Sequence, residues 1–117
     1  YPFTISRTRV TDENAEVKFL LPHHEVMNYP NKISQKDFEG WIQERSIYQA
    51  EKTDPHYATI FGMHDANEPE SNGSHIITPF GKGNFVYVSL VFFRELPAGI
   101  DGAFKLFANL IALPENK

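Results

Sequence analysis

Phe80-Gly81-Lys82-Gly83-Asn84-Phe85-Val86-Tyr87-Val88-Ser89-Leu90 is a strand, a chain reversal and a second strand. Two glycines bracket Lys82 between an apolar run, Ile76 to Phe80, and an alternating one in which Phe85, Tyr87 and Ser89 oppose Val86, Val88 and Leu90. Glycine reaches the backbone conformations that a tight hairpin turn requires, and alternation of period two marks a strand with two unlike faces. Phe92-Phe93-Arg94-Glu95-Leu96-Pro97-Ala98-Gly99 follows at once and reads as a shaped loop leading into a helix.

Downstream, Asp101 is placed to cap a helix in which Phe104, Leu106, Phe107, Leu110, Ile111 and Leu113 recur with helical spacing, and Pro114 stops it. Phe104, Phe107, Leu110 and Ile111 form a stripe that is expected to bury against a sheet face, worth ~1.5–3 kcal/mol for each large side chain fully buried. Upstream, Phe3, Ile5 and Val10 read as a first strand ended by the turn residues Asp12-Glu13-Asn14, and Val17 to Leu21 as a second. Pro22 and Pro30 bound an irregular surface stretch. Ser34 with Asp37 three residues later resembles a capping arrangement, Phe38, Trp41 and Ile42 anchor one helical turn, and Gly40 keeps that turn short.

Arg45 to Ala50 and Tyr57 to Met63 are rich enough in β-branched and aromatic residues to be strands, separated by the turn Thr53-Asp54-Pro55. His64 to Ser74, carrying Pro69 and Asn72-Gly73, is the longest loop. The sum is one α+β domain spanning residues 1–117, with about six mostly antiparallel strands in a mixed sheet and one C-terminal helix packed on it.

A chain of 117 residues, 41% hydrophobic and 14% aromatic, has the apolar surface for a real core. The formal charge of −4 is mild and the basic residues are scattered, so there is no electrostatic footprint for a nucleic acid. The absence of cysteine removes disulfides, thiolate zinc sites and a cysteine nucleophile together. No apolar run approaches the roughly 20 residues that span a bilayer. Tyr1-Pro2-Phe3 has no signal pattern and no initiating methionine, which points to a processed product or to the C-terminal segment of something longer.

Several residue groups bear on chemistry. His23-His24-Glu25 puts two imidazoles beside a carboxylate, with His23 and Glu25 as candidate metal ligands, yet neighbours on an extended backbone point to opposite faces, which favours an exposed loop. His64 and Asp65, with Glu68 nearby, form a second partial metal set at a strand end, against the plainer reading of a solvated turn. Gly81-Lys82-Gly83 is no phosphate cradle, because a strand follows where a P-loop needs a helix. Trp41 and Tyr48, with Tyr57 and Phe93, are aromatic faces on which a sugar would stack, unless they belong to the core. Arg94 and Glu95, set among Phe92, Phe93 and Leu96, either form an internal ion pair or reach a partner.

Lys36-Asp37-Phe38-Glu39-Gly40-Trp41-Ile42-Gln43-Glu44-Arg45, Phe80-Gly81-Lys82-Gly83, Phe92 to Gly99 and Phe107-Ala108-Asn109-Leu110 together carry a family resemblance over nearly the whole chain. It resembles the C-terminal part of bacterial PIG-L (LmbE-type) deacetylase proteins, which is itself similar to the end of a class I glutamine amidotransferase-like, ThuA-like domain. The resemblance implies a parent protein that hydrolyses an N-acetyl group on an amino sugar with zinc-bound water held by a His-Pro-Asp-Asp motif. That motif is missing here, Met63-His64-Asp65 being the nearest string, and no residue is carried over as a zinc ligand. His23-His24-Glu25 also contains the His-x-Glu of amidotransferase triads, but the cysteine such a triad needs is missing too.

The expectation is therefore a noncatalytic accessory module with no cofactor of its own, zinc belonging to the parent. Its role would be structural, assembling or carbohydrate-presenting, with the rest of a longer polypeptide, a second copy or a carbohydrate as partner. The resemblance favours a periplasmic or extracellular setting. A small metal-dependent hydrolase and a free-standing carbohydrate-binding module are the alternatives.

Overall fold

The structure, a computed structural model, describes residues 2–42 and 44–113, the side chain of Arg94 excepted. Tyr1, Gln43 and Pro114, with the expected helix stop at Pro114, lie outside the described residues.

The hairpin is as the sequence predicts. Strands β6 (His75–Phe80) and β7 (Gly83–Val88) pair antiparallel, with Phe80 opposite Gly83 and His75 opposite Val88. Only Gly81 and Lys82 form the turn, and Gly81 has φ 57°, the left-handed region that glycine enters without a steric penalty. The α+β class and the antiparallel pairing hold, but the single mixed sheet of about six strands does not. Among the described residues, seven short strands make three small sheets. β1 (Thr4–Ile5) pairs with β3 (Ala50–Glu51), β2 (Lys18–Phe19) with β5 (Phe61–Gly62), and β4 (Ala58–Thr59) with β6, all antiparallel.

The expected strand from Tyr57 to Met63 therefore splits in two. Its first half, β4, joins the hairpin and its second half, β5, joins β2, with the fully buried Ile60 between them. The expected strand from Arg45 to Ala50 is likewise mostly irregular. Ser46 makes isolated antiparallel bridges to Val10 on one side and Leu90 on the other, so it ties the N-terminal segment to the chain just beyond β7. Tyr48, in the middle of that stretch, has φ 60°, which a regular strand excludes.

Between β2 and β3 lie two 3-10 turns, Glu25–Met27 and Gln35–Phe38. In the second, the Ser34 amide donates to the Asp37 carboxylate at 2.8 Å, the expected capping contact, and Gly40 follows at φ 76°. The loop expected before the C-terminal helix holds an additional helical turn, α1 (Phe92–Glu95).

The C-terminal helix α2 (Asp101–Ile111) is present, but its buried face is not the expected one. Gly102, Ala103, Leu106 and Asn109 face inward, and α2 packs on the two 3-10 turns rather than flat on a sheet. Phe104, Phe107 and Ile111 remain 50%, 42% and 72% exposed, so the stripe predicted to be buried is mainly an outer surface. The physical reason is distance. A Cβ at Gly102 would lie 1.7 Å from the Asp37 carbonyl oxygen, so only a face of small residues lets the two backbones approach so closely. The core filled by this approach contains Val26, Met27, Phe38, Trp41, Phe61, Ala103 and Leu106.

Candidate functional site

Among the described residues, three concavities stand out as open to ligands or partners. The largest, about 550 Å³, lies where the chain after β1, the end of β3 and the loop following β5 meet. Its walls include Thr8, Arg9, Glu51, Lys52, His64 and Glu68, a mixed lining of acceptors and cations without an aromatic platform. Asp65 also borders it, but its carboxylate braces the opposing segment: one oxygen accepts from the Thr11 amide and hydroxyl at 3.0 Å each, the other from the Asp12 amide at 2.8 Å. Partial burial would raise this carboxyl, and those hydrogen bonds outweigh it, holding Asp65 below the usual carboxylate range. His64 donates from Nδ1 to the Asp65 carbonyl at 2.8 Å. His64, Asp65 and Glu68 thus share one cleft, with Asp65 already serving the fold.

His23 and Glu25 sit elsewhere, on the exposed side of the first 3-10 turn. His24, between them, accepts the Val26 amide on Nδ1 at 3.1 Å and so caps that turn, and burial pushes its imidazole below the usual value. Among the described residues no three His, Cys, Asp or Glu side chains are placed to hold a metal ion.

Trp41 lies in the core at 2% exposure, its indole N–H donating to the Asp37 carbonyl at 2.8 Å and its ring 5.2 Å from that of Phe38. Arg45 lies over both rings, 5.5 Å from the Phe38 centroid and 5.8 Å from that of Trp41, and donates to the carbonyls of Ala15 and Phe38. Glu95 is fully buried and accepts the Ile42 amide at 2.6 Å, which fastens α1 to the segment after the second 3-10 turn. The side chain of its sequence neighbour Arg94 is outside the described residues. Of the four candidate binding residues, Tyr48 alone presents an exposed ring among the described side chains, at 53%. Its carbonyl is held by the Tyr87 hydroxyl at 2.6 Å.

Tyr48 belongs to the second concavity, about 320 Å³, where it meets Arg7, Arg9 and Ile47. Basic residues that are scattered in the sequence thus meet in space here. The available signal was the spacing of Arg7 and Arg9, two apart on extended chain and hence directed to one side. The third concavity is apolar, about 330 Å³, and lined by Val86, Val88, Phe92, Phe107, Leu110 and Ile111.

Two further polar groups, His75, isolated in the sequence, and Asn109, lie in the interior, where no local pattern places them. Asn109 is fully buried and donates from Nδ2 to the carbonyls of Val26 at 2.8 Å and Asn31 at 2.7 Å, while its Oδ1 accepts the Asn31 amide at 3.0 Å. His75 is fully buried 5.7 Å from the Phe61 ring, with no hydrogen-bond partner on either nitrogen, and burial, with a smaller effect of His24, lowers its pKa to about 3.

No protein-family model, curated protein or solved structure matches this chain.

Proposed function

We propose that this chain is a noncatalytic accessory module of a PIG-L (LmbE-type) deacetylase protein and that it serves assembly, docking against the rest of its parent polypeptide through the outer face of α2 and the adjoining face of β7. One observation carries this reading. The helix buries its small residues and leaves Phe104, Phe107 and Ile111 outward, beside a groove floored by Val86, Val88 and Phe92. Large apolar side chains grouped on one surface are a common mark of a docking site.

In this reading the chain supplies no catalytic group. Zinc, and the water it activates for hydrolysis of an N-acetyl group, belong to the rest of the parent. The described residues of this chain do not fit a zinc centre: His64 and Glu68 lack a converging third ligand, and the Asp65 carboxylate braces Thr11 and Asp12. The module's contribution is a rigid apolar surface, held in shape by the Asn109 hydrogen bonds and the close contact at Gly102.

Reading the gene upstream of this segment tests the parentage. An in-frame His-Pro-Asp-Asp region supports it, and a start codon directly before Tyr1 would sink it. Hydrogen exchange then tests the docking. Amides of α2 and β7 should exchange at least about tenfold more slowly in the intact gene product than in this chain alone, and equal rates would reject the surface as an interface.

A further inference from the structure

The pocket formed by Arg7, Arg9, Ile47 and Tyr48 is on a different set of residues from the docking surface, and its argument does not depend on the deacetylase link. Arg7 is exposed and has no carboxylate partner among the described residues. Arg9 makes a single 3.0 Å contact from Nη2 to Glu44, which leaves further N–H donors of its guanidinium available and fixes its direction. Two guanidinium groups thus meet at this spot; Arg9 is directed by Glu44 and also feels the Asp65 carboxylate, while Arg7 is the cation left to a ligand. An arginine pair suits a planar carboxylate, which it meets with parallel hydrogen bonds.

Tyr48 adds the second element. Its backbone is in the left-handed region at φ 60°, an uncommon conformation for an aromatic residue, and the Tyr87 hydroxyl bond to its carbonyl keeps it there. The result is a ring exposed in solvent beside the arginines instead of packed in the aromatic core. A pocket of about 320 Å³ is the size of one sugar ring with its substituents rather than of an extended chain.

Arg9 also borders the larger cleft, so the two concavities adjoin. There the walls offer Thr8, Glu51, Lys52 and Glu68, acceptors and donors suited to neutral hydroxyl groups. The carboxylates would repel a second anionic group, which disfavours polyphosphates and polyanions.

We propose that this surface binds an acidic saccharide, with a uronate carboxylate between Arg7 and Arg9, its ring against Tyr48, and the neighbouring neutral sugar in the adjoining cleft. Binding involves no covalent step. The test is a titration of the isotope-labelled chain, followed by amide NMR shifts, with cellobiuronic acid, in which glucuronate is linked to glucose. Neutral cellobiose, inorganic sulfate and adenosine monophosphate serve as comparison probes.

The expected result is a saturable shift of amides in residues 7–9 and 47–52 with cellobiuronic acid, at least about tenfold weaker with cellobiose because a charge-assisted contact is lost. Arg7→Gln and Tyr48→Asn should each weaken binding by at least about fivefold while leaving the remaining amide spectrum unchanged; asparagine tolerates the left-handed backbone, so the second change removes the ring without straining the chain. Equal binding of both disaccharides, or none, overturns the proposal. Tighter binding of sulfate or of adenosine monophosphate than of cellobiuronic acid overturns it in favour of a plain anion or nucleotide site.

Discussion

Gly102 sits directly against the backbone of Asp37: a Cβ at residue 102 would come within 1.7 Å of the Asp37 carbonyl oxygen and 2.4 Å of its Cα. The first turn of α2 thereby meets the second 3-10 turn backbone to backbone, and one turn on Lys105 pairs with the Asp37 carboxylate at 3.2 Å. Gly102→Ala is expected to destabilise the chain by about 3 kcal/mol or more, since the obstacle is main chain and neither element can yield without losing its packing. Gly83→Ala is the matched control, with its nearest new neighbour 3.9 Å away and an expected effect under about 1 kcal/mol. Urea unfolding of the two variants beside the parent chain checks this, and equal midpoints would show that the contact relaxes freely.

Asn109 holds α2 from its other end through the carbonyls of Val26 and Asn31 and the Asn31 amide. Asn109→Leu keeps the branching at Cγ and strands those three backbone groups, the Val26 carbonyl buried and the two of Asn31 partly so, at a cost of about 2–4 kcal/mol. Asn109→Asp should be worse near neutral pH, because its carboxylate replaces a donor with an acceptor facing two carbonyls. Thermal unfolding ranks the three proteins, and the order parent, leucine, aspartate is the expected one.

His75 makes stability depend on pH in a defined direction. Its folded pKa is about 3 against an ordinary value of 6.5, so between those values the unfolded chain binds the proton and the folded chain does not. Stability is unaffected above about pH 6.5 and falls by about 1.4 kcal/mol for each unit below it, down to about pH 3. Relative to pH 7 the loss at pH 5 is about 2 kcal/mol. His24, lowered by burial, acts in the same direction. His75→Leu should flatten most of this slope, and urea midpoints at several pH values between 4 and 7 measure it; an unchanged slope would assign acid sensitivity to other groups.

Phe104 and Ile111 are half and nearly three-quarters exposed, at 50% and 72%. Replacing both with serine should shift the melting temperature of the isolated chain by only a few degrees. If this face docks on the rest of a parent polypeptide, as proposed, the same double variant should bind that polypeptide, supplied as a separate chain, at least about tenfold more weakly in sedimentation. Unimpaired association would remove this face from the interface.

What was legible in the sequence was local. The hairpin around Gly81 and Lys82 and the helix from Asp101 are specified by contacts within a few residues, and both stand almost where their patterns put them. Sheet membership was not legible, because Tyr57 to Met63 has one continuous strand-like pattern while its two halves take partners 17 to 44 positions away, Ala58 with Ile77 and Phe61 with Phe19 among them. The buried face of α2 was misread for a related reason. Apolar bulk marked Phe104, Phe107 and Ile111, whereas the close approach to Asp37 selected the smaller Gly102 and Ala103. Of the candidate site residues, Trp41 suits a surface or the core, and Glu95, a side chain that favours the surface, is buried because the Ile42 amide, distant in sequence, donates to it.

The position of α2 also bears on synthesis. Residues 101–111 leave the ribosome after the two 3-10 turns they cover, so during translation Val26, Met27 and Phe38 wait without their lid. A product cut short before Gly102 would expose that patch to chaperones and proteases, whereas one that includes residues 101–111 hides it. Closure of the helix thus acts as a built-in checkpoint, separating chains that have passed residue 111 from those interrupted before it by nothing more than what each leaves uncovered.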